Sequence, residues 1–220
     1  MSNDPSTPSP TRQPIALTLV GLSLALVLPE IIVLAAPHLK GLFFAIRELI
    51  FWILTLVVFL YVRAVEKRPL SSIGLRSPTW RTWVWGLCAA VVALIGIGLI
   101  YGVVFRLFHL TMNMHAMNQL LALPRPVRFL VVLRAAIFEE TLYRGYAIER
   151  LTELTGNRWA AALISLFAFT IAHISYWGAA QLLIAGFGGL VLTALYLWRR
   201  DLPCNMFTHF VTDGVGFLLR

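Results

Sequence analysis

The stretch WVWGLCAAVVALIGIGLIYGVVF, residues 83–105, decides the class of protein to which this sequence belongs. It contains no charged side chain, and it is long enough for a helix to cross a bilayer, which takes about 20 apolar residues. Lipid cannot hydrogen-bond the backbone, so a spanning segment must be a helix or part of a closed barrel. The run lacks the period-2 alternation of barrel strands. It therefore predicts a transmembrane helix.

Six further apolar runs surround this one. They cover residues 15–36, 42–62, 128–149, 159–176, 179–198 and 202–218. Of the 220 residues, 59% are apolar and 13% are charged, whereas about a quarter of a soluble domain is charged. The sequence predicts an all-α, polytopic transmembrane helix bundle of about seven spans. The stretch 111–127 predicts a short interfacial helix that ends at Pro124 and Pro126.

Residues 1–14, MSNDPSTPSPTRQP, are rich in Ser, Pro and Thr, which predicts a disordered N-terminal tail. They do not have the pattern of a cleaved signal peptide. Residues 15–126 are predicted to form the N-terminal transmembrane helices and the interfacial helix. Residues 127–220 are predicted to form a second transmembrane domain.

The net charge of +8 comes mainly from short loops between the apolar runs. If the loop 63–81 is cytoplasmic, the inner segments hold ten Lys and Arg residues and the outer segments hold five. This asymmetry is typical of membrane orientation and argues against a nucleic-acid partner. The chain is expected in the bilayer of a bacterial inner (plasma) membrane, with its N-terminus in the cytoplasm.

Ionisable residues interrupt the predicted spans. They are Glu30, Arg47, Glu48, Arg134, Glu139, Glu140, Arg144, His173, His209 and Asp213. A charge at mid-bilayer costs about 2.5–3.5 kcal/mol on insertion scales, so such residues usually face a partner or a wet cavity. Their number indicates a functional site inside the bundle.

The segment IFEETLYRGY, residues 137–146, holds two adjacent carboxylates. Glu140 and Arg144 are four residues apart on one helix face, which favours an internal ion pair over direct catalysis. Glu139 points about 100° away and escapes that pair. It is a candidate general base. Alternatively, it is a carboxylate hydrogen-bonded to a neighbouring span.

Two later segments, FAFTIAH and CNMFTHFVTDG, supply histidines. His209 and Asp213 share a helix face, so Asp213 could orient the imidazole, bind a metal with it or hold a substrate amide. His173 alone is more often a packing residue than a ligand. With a rise of about 1.5 Å per residue, Glu139 and His209 lie at similar depths and His173 roughly 10 Å higher. A helix tilt could remove that offset.

These groups are the ingredients of peptide hydrolysis by water: a carboxylate to deprotonate it, imidazoles, and a polar partner. No HExxH is present, so the site is not of the zincin type. Chains of Glu, His and Arg in spans also relay protons, so a proton-coupled transporter is an alternative. A non-catalytic membrane immunity or adaptor protein is another.

The motifs resemble those of the CPBP family, the CAAX-processing and bacteriocin-processing (Abi) intramembrane proteases. Its EExxxR, FxxxH and HxxxN/D patterns read here as 139–144, 169–173 and 209–213, and the resemblance covers roughly 127–220. It implies an intramembrane endopeptidase in which Glu139 activates water with His173. His209 and Asp213 would stabilise the oxyanion or hold the site together, supported by Glu140 and Arg144. Asp213 departs from the Asn of the family's prenyl-protein endopeptidases.

The resemblance also bears on cofactor and substrate. His173, His209 and Glu139 could bind zinc, and members of the family are often labelled metalloproteases. The alternative is a glutamate-activated water without metal. The metal-free alternative is slightly favoured, because the ion pair with Arg144 removes the Glu140 carboxylate from the possible zinc ligands. The implied substrate is a membrane-associated or prenylated-type protein or peptide.

Overall fold

The computed structural model describes residues 14–35 and 42–219. Every regular element in these two ranges is helical, and they contain no β-strand. The predicted all-α membrane bundle is therefore confirmed. Apart from Pro14, the predicted tail lies outside the described residues. The predicted domain boundary at 126 stays a prediction.

Eight helices of more than one turn form the described ranges. α1 consists of Ile15–Leu22, Ser23–Val27 and Leu28–Ala35; α2 of Leu42–Leu60 and Tyr61–Val65; α3 of Trp80–Leu99 and Ile100–Phe105; α4 is Met114–Leu121; α5 consists of Arg125–Glu139, Glu140–Ile148 and Glu149–Thr155; α6 is Arg158–Ala172, α7 is Gln181–Arg199 and α8 is Leu202–Phe217. The segments Ser23–Val27, Tyr61–Val65, Ile100–Phe105 and Glu140–Ile148 are π-helical. Leu70–Ile73 is a 3₁₀ turn, and Ile174–Trp177 is one helical turn after α6.

Five helices of the described ranges are long and apolar enough to cross a membrane. Their apolar parts are Ile15–Leu34, Phe44–Val65, Trp80–Phe105, Arg158–Trp177 and Gln181–Arg199. The chain is thus an integral membrane protein. The other two predicted spans are also helical, but α5 carries several charges and α8 is only 16 residues long. Whether these two cross the bilayer stays a prediction.

The helix α4 confirms that the stretch 111–127 contains a short helix, but the role predicted for its prolines is wrong. α4 ends at Leu121, before either proline. Pro124 is instead the N-cap residue of α5, and Pro126 lies in its first turn. A proline fits there because its missing N–H would have no intrahelical partner in any case. α5 also continues beyond the predicted end at 149.

The helix α5 lies at the centre of the bundle and contacts α1, α2, α6 and α8. An apolar core fills the space around it, formed by Leu22, Phe51, Leu54, Val58, Phe138, Leu142, Tyr146 and Phe169. Every residue of its π-helical segment, Glu140–Ile148, is buried. A π-turn widens the helix locally and is frequent at functional sites. Here it begins directly after Glu139.

The helix α3 stands at the edge of the bundle and packs against α8 through small residues. Gly86 lets the two backbones approach, since a Cβ there would lie 2.8 Å from the Phe207 ring and 3.2 Å from the Cys204 carbonyl oxygen. The Thr208 hydroxyl donates to the Gly86 carbonyl at 3.0 Å. Close contact at small residues is the usual way in which membrane helices associate.

A buried ion pair ties the segment after α2 to α5. The Arg150 guanidinium binds the Glu66 carboxylate through Nε at 3.0 Å, and the Tyr146 hydroxyl donates to the same carboxylate at 2.7 Å. Arg150 and Glu66 are almost completely buried. Removing one partner of such a pair leaves an uncompensated charge, so this contact fixes the C-terminal end of α5.

Candidate active site

Glu139, His173 and His209 converge although they come from α5, the end of α6 and α8. The Glu139 Oε2 atom lies 3.9 Å from His173 Nε2 and 4.0 Å from His209 Nε2. Both distances are too long for a direct hydrogen bond and suit a bridging water. The Oε2 atom is buried and has no hydrogen-bond partner in the described protein. The depth offset expected for His173 is absent, since its ring reaches Glu139 from the C-cap position that follows Ala172.

Both imidazoles are held through their Nδ1 atoms. His173 Nδ1 donates to the Phe169 carbonyl oxygen at 2.7 Å, and His209 Nδ1 lies 2.9 Å from Glu140 Oε1. A carbonyl can only accept, so the proton of a neutral His173 sits on Nδ1. Its Nε2 lone pair is then directed at Glu139. The FxxxH spacing thus sets the tautomer of the histidine as well as its position.

Glu140 is buried, and its carboxylate binds three other side chains. Its carboxylate accepts from Arg144 at 2.9 Å, from His209 and from the Asn205 side-chain amide at 3.2 Å. The predicted Glu140–Arg144 ion pair is therefore present. Asn205, one helical turn before His209, was missed by sequence reasoning. The i,i+4 spacing of the two residues on α8 could have indicated it.

Arg144 connects Glu140 to two other helices, α6 and α7. Its guanidinium lies over the Phe169 ring, 4.0 Å from the centroid, and donates to the Gly189 carbonyl at 3.2 Å. A stacked guanidinium with a partner at each Nη atom is usually structural. These contacts of Arg144 hold α5, α6 and α7 together around Glu139, His173 and His209.

Asp213 lies beside the second ring nitrogen of His209. Its Oδ2 atom is 3.4 Å from His209 Nε2, and its side chain is 31% exposed, against 8% for the histidine. The imidazole therefore stands between two carboxylates, with Glu140 at Nδ1 and Asp213 at Nε2. Of the roles left open for Asp213, this arrangement suits the orientation of His209. A metal ligand set would need further groups.

Several of the other intramembrane charges form a belt next to the site. Arg134 binds Glu48 through Nε at 2.8 Å and places Nη1 3.8 Å from Glu139 Oε1. Arg47 contacts the same Glu48 at 3.3 Å. The separation of Arg134 and Glu139, five residues, gave no reason to expect this contact. It forms because Glu48 of α2 positions the guanidinium.

Glu30 of α1 reaches the same region. It accepts a hydrogen bond at 3.1 Å from the Tyr143 hydroxyl, and the Tyr143 ring packs edge-on against Phe169. Tyr143 was also missed, since an aromatic residue within an apolar run carries no polar signal of its own. The N-terminal helices thus bring carboxylates to a site whose motifs lie in the second half of the chain.

The zinc candidates do not form a ligand set as they are arranged. A zinc site needs three or four ligand atoms at about 2.0–2.3 Å from one point. In the ranges 14–35 and 42–219, no group of three or more His, Cys, Asp or Glu side chains could hold a metal ion.

Comparison with known proteins supports the resemblance drawn from the motifs. Residues 121–215 match the family model described as type II CAAX prenyl endopeptidase Rce1-like. This segment contains all three motifs and extends from the end of α4 into α8. No curated protein and no solved structure matches the chain.

Proposed function

Because residues 121–215 match the family model of the Rce1-like type II CAAX prenyl endopeptidases, we propose that this integral membrane protein belongs to that family and hydrolyses a peptide bond with water activated by Glu139. The observation that carries the proposal is the convergence of His173 Nε2 and His209 Nε2 on Glu139 Oε2, at 3.9 and 4.0 Å. One water with ordinary hydrogen bonds, about 2.7–3.0 Å long, can bridge two atoms at such a separation.

Two acceptors orient the attacking water. Glu139 Oε2 and His173 Nε2 each accept one of its hydrogens, which leaves an oxygen lone pair directed at the scissile carbonyl carbon. Glu139 takes the proton as the C–O bond forms, and the carbonyl oxygen becomes an oxyanion. The same proton then passes to the leaving nitrogen as the C–N bond breaks, so Glu139 returns to its starting state.

His209 stabilises the oxyanion. Carboxylates flank both of its ring nitrogens, and both nitrogens are satisfied only when each carries a proton. The Nε2–H group is then shared between Asp213 and the developing oxyanion. Asp213 orients the ring in this arrangement, while Glu140 and Arg144 hold the imidazole from the opposite side.

The substrate class follows from the family and from the buried position of the site. We expect a membrane-attached protein or peptide, of the prenylated type, that is cleaved close to its C-terminus. The surrounding bilayer is that of a bacterial inner membrane, and the N-terminus lies on the cytoplasmic side, as the distribution of basic residues favours.

Replacing the proposed base tests this assignment. Glu139→Gln keeps the size and polarity of the side chain but cannot take a proton. The variant, in liposomes with a fluorogenic peptide that carries a farnesylated CAAX-type C-terminus, should lose at least about 100-fold in rate, in line with general-base catalysis. The matched control is Glu153→Gln, a half-exposed glutamate at the C-terminal end of α5, and it should cleave at the wild-type rate. Full activity of Glu139→Gln would remove Glu139 from the mechanism.

A further inference from the structure

Arg47 of α2 is an arginine whose surroundings leave it incompletely bound. Its side chain is 10% exposed and its guanidinium lies near the Phe44 and Tyr176 rings, at 5.2 and 5.8 Å from their centroids. Among the described residues, Glu48 is the one carboxylate within ion-pair distance of it, at 3.3 Å. Its Nε atom is buried and has no hydrogen-bond partner there. A buried, unpaired donor calls for an explanation.

Glu48 cannot compensate Arg47 fully, because Arg134 uses the same carboxylate. Arg134 donates to both Glu48 oxygens, at 2.8 and 3.4 Å. Arg47 contacts one of those oxygens from the other side. Two guanidiniums thus share Glu48, but Arg134 also has Glu139 at 3.8 Å, whereas Arg47 has no second carboxylate among the described residues. An arginine presents a fork of donors that matches a second carboxylate in two parallel hydrogen bonds.

The position of Arg47 relative to the catalytic base limits what it could bind. Contacts through Glu48 and Arg134 link its guanidinium to Glu139 Oε1, the last of them 3.8 Å long. This series of contacts sets an upper limit on their separation, on the order of the length of an extended tripeptide, about 10 Å. In a CAAX-type C-terminus, the free carboxylate lies three residues beyond the cysteine.

We infer that Arg47 is a carboxylate-binding residue that recognises the free C-terminus of the substrate, with Arg134 and Glu48 holding it in place. This inference rests on the proposed function. Arg47 Nε and Nη donate to the terminal carboxylate, while the peptide bond about three residues upstream lies at Glu139. The chain is then specific for substrates that end close to the scissile bond.

Paired peptides test this specificity. The probe is a fluorogenic peptide that ends in farnesylcysteine, Val, Ile and Met, made once with a free C-terminal carboxylate and once with a carboxamide. The wild-type protein in liposomes should cleave the acid with a kcat/KM about 10- to 100-fold higher than the amide, because a charge-assisted hydrogen bond contributes on that scale. The difference should lie mainly in KM.

Two variants separate recognition from folding. Arg47→Gln should lower kcat/KM for the acid to the value for the amide, and an elution volume and melting temperature in detergent close to those of the wild type show that the variant is folded. Arg68→Gln, an arginine paired with Glu153 at the C-terminal end of α5, is the control and should keep the preference. Equal cleavage of acid and amide by the wild type, or equal loss of both in Arg47→Gln, would overturn the inference alone. Cleavage of neither peptide by the wild type would remove the proposed function as well.

Discussion

At the scale of single residues, two neighbouring glutamates acquire different tasks from their surroundings. Glu140 is fully buried and bound by Arg144, His209 and Asn205. Glu139 keeps one oxygen without a hydrogen-bond partner from the described protein, facing two imidazoles. A fully bound carboxylate holds structure, whereas one with a free oxygen can exchange a proton. The sequence predicted this division from the helical angle between the residues.

The two glutamates should therefore differ when each is changed to glutamine. Glu140→Gln leaves Arg144 buried without a charged partner, which should destabilise the protein by about 3–5 kcal/mol. Glu139→Gln should leave the melting temperature close to that of the wild type. Thermal unfolding of both purified variants in detergent measures the difference. Equal melting temperatures would show that the Glu140 pair does not hold the helices together.

At the scale of elements, α5 is the central helix of the bundle. Part of its structure could not be predicted from the sequence. Apolar runs located the helices because burial in lipid requires a long uncharged segment. The π-helical geometry of Glu140–Ile148 could not be predicted, since the sequence of this segment does not differ from that of an ordinary α-helix that contains polar residues. The charges on α5 likewise did not show which helix would pair with them. Glu48 of α2 and Glu30 of α1 became identifiable only through contacts.

The contact between α1 and α5 gives a prediction at this scale. A Cβ on Gly21 would overlap the Tyr146 hydroxyl, which Glu66 holds in place. Gly21→Ala should therefore destabilise the protein by about 1–3 kcal/mol, the usual cost of overpacking a core. Gly98→Ala is the matched control, because nothing lies within 4 Å of a Cβ there. The melting temperatures of the two variants test this prediction. A Gly21→Ala variant that is as stable as Gly98→Ala would contradict the packing described here.

At the scale of the whole molecule, the two halves of the chain share the site. The family match covers 121–215, yet the belt of charges beside Glu139 includes residues of α1 and α2. The motifs on α5, α6 and α8 were sufficient to predict which groups meet, since each lies on a separate helix in a fixed order. They could not predict what the N-terminal helices contribute, because residues 15–126 carry no motif.

Orientation in the bilayer is a property of the whole molecule, and the predicted cytoplasmic N-terminus can be tested directly. With Cys88 and Cys204 replaced by alanine, a single cysteine is placed at Ser77 or at Thr111, both exposed. In intact cells, a membrane-impermeant thiol reagent should label Thr111→Cys and leave Ser77→Cys unlabelled until the cells are permeabilised. The opposite labelling pattern would invert the topology.

The central claim is that water is held by an ionisable acid, Glu139, beside the imidazoles of His173 and His209 inside the bundle. An experimental structure in a lipid environment, at a resolution that shows ordered solvent, tests it most directly. We expect one water within about 2.6–3.2 Å of Glu139 Oε2 and of at least one Nε2 atom of His173 or His209. A Glu139 side chain turned toward lipid, or separated from both histidines by more than a single water can bridge, would contradict the account.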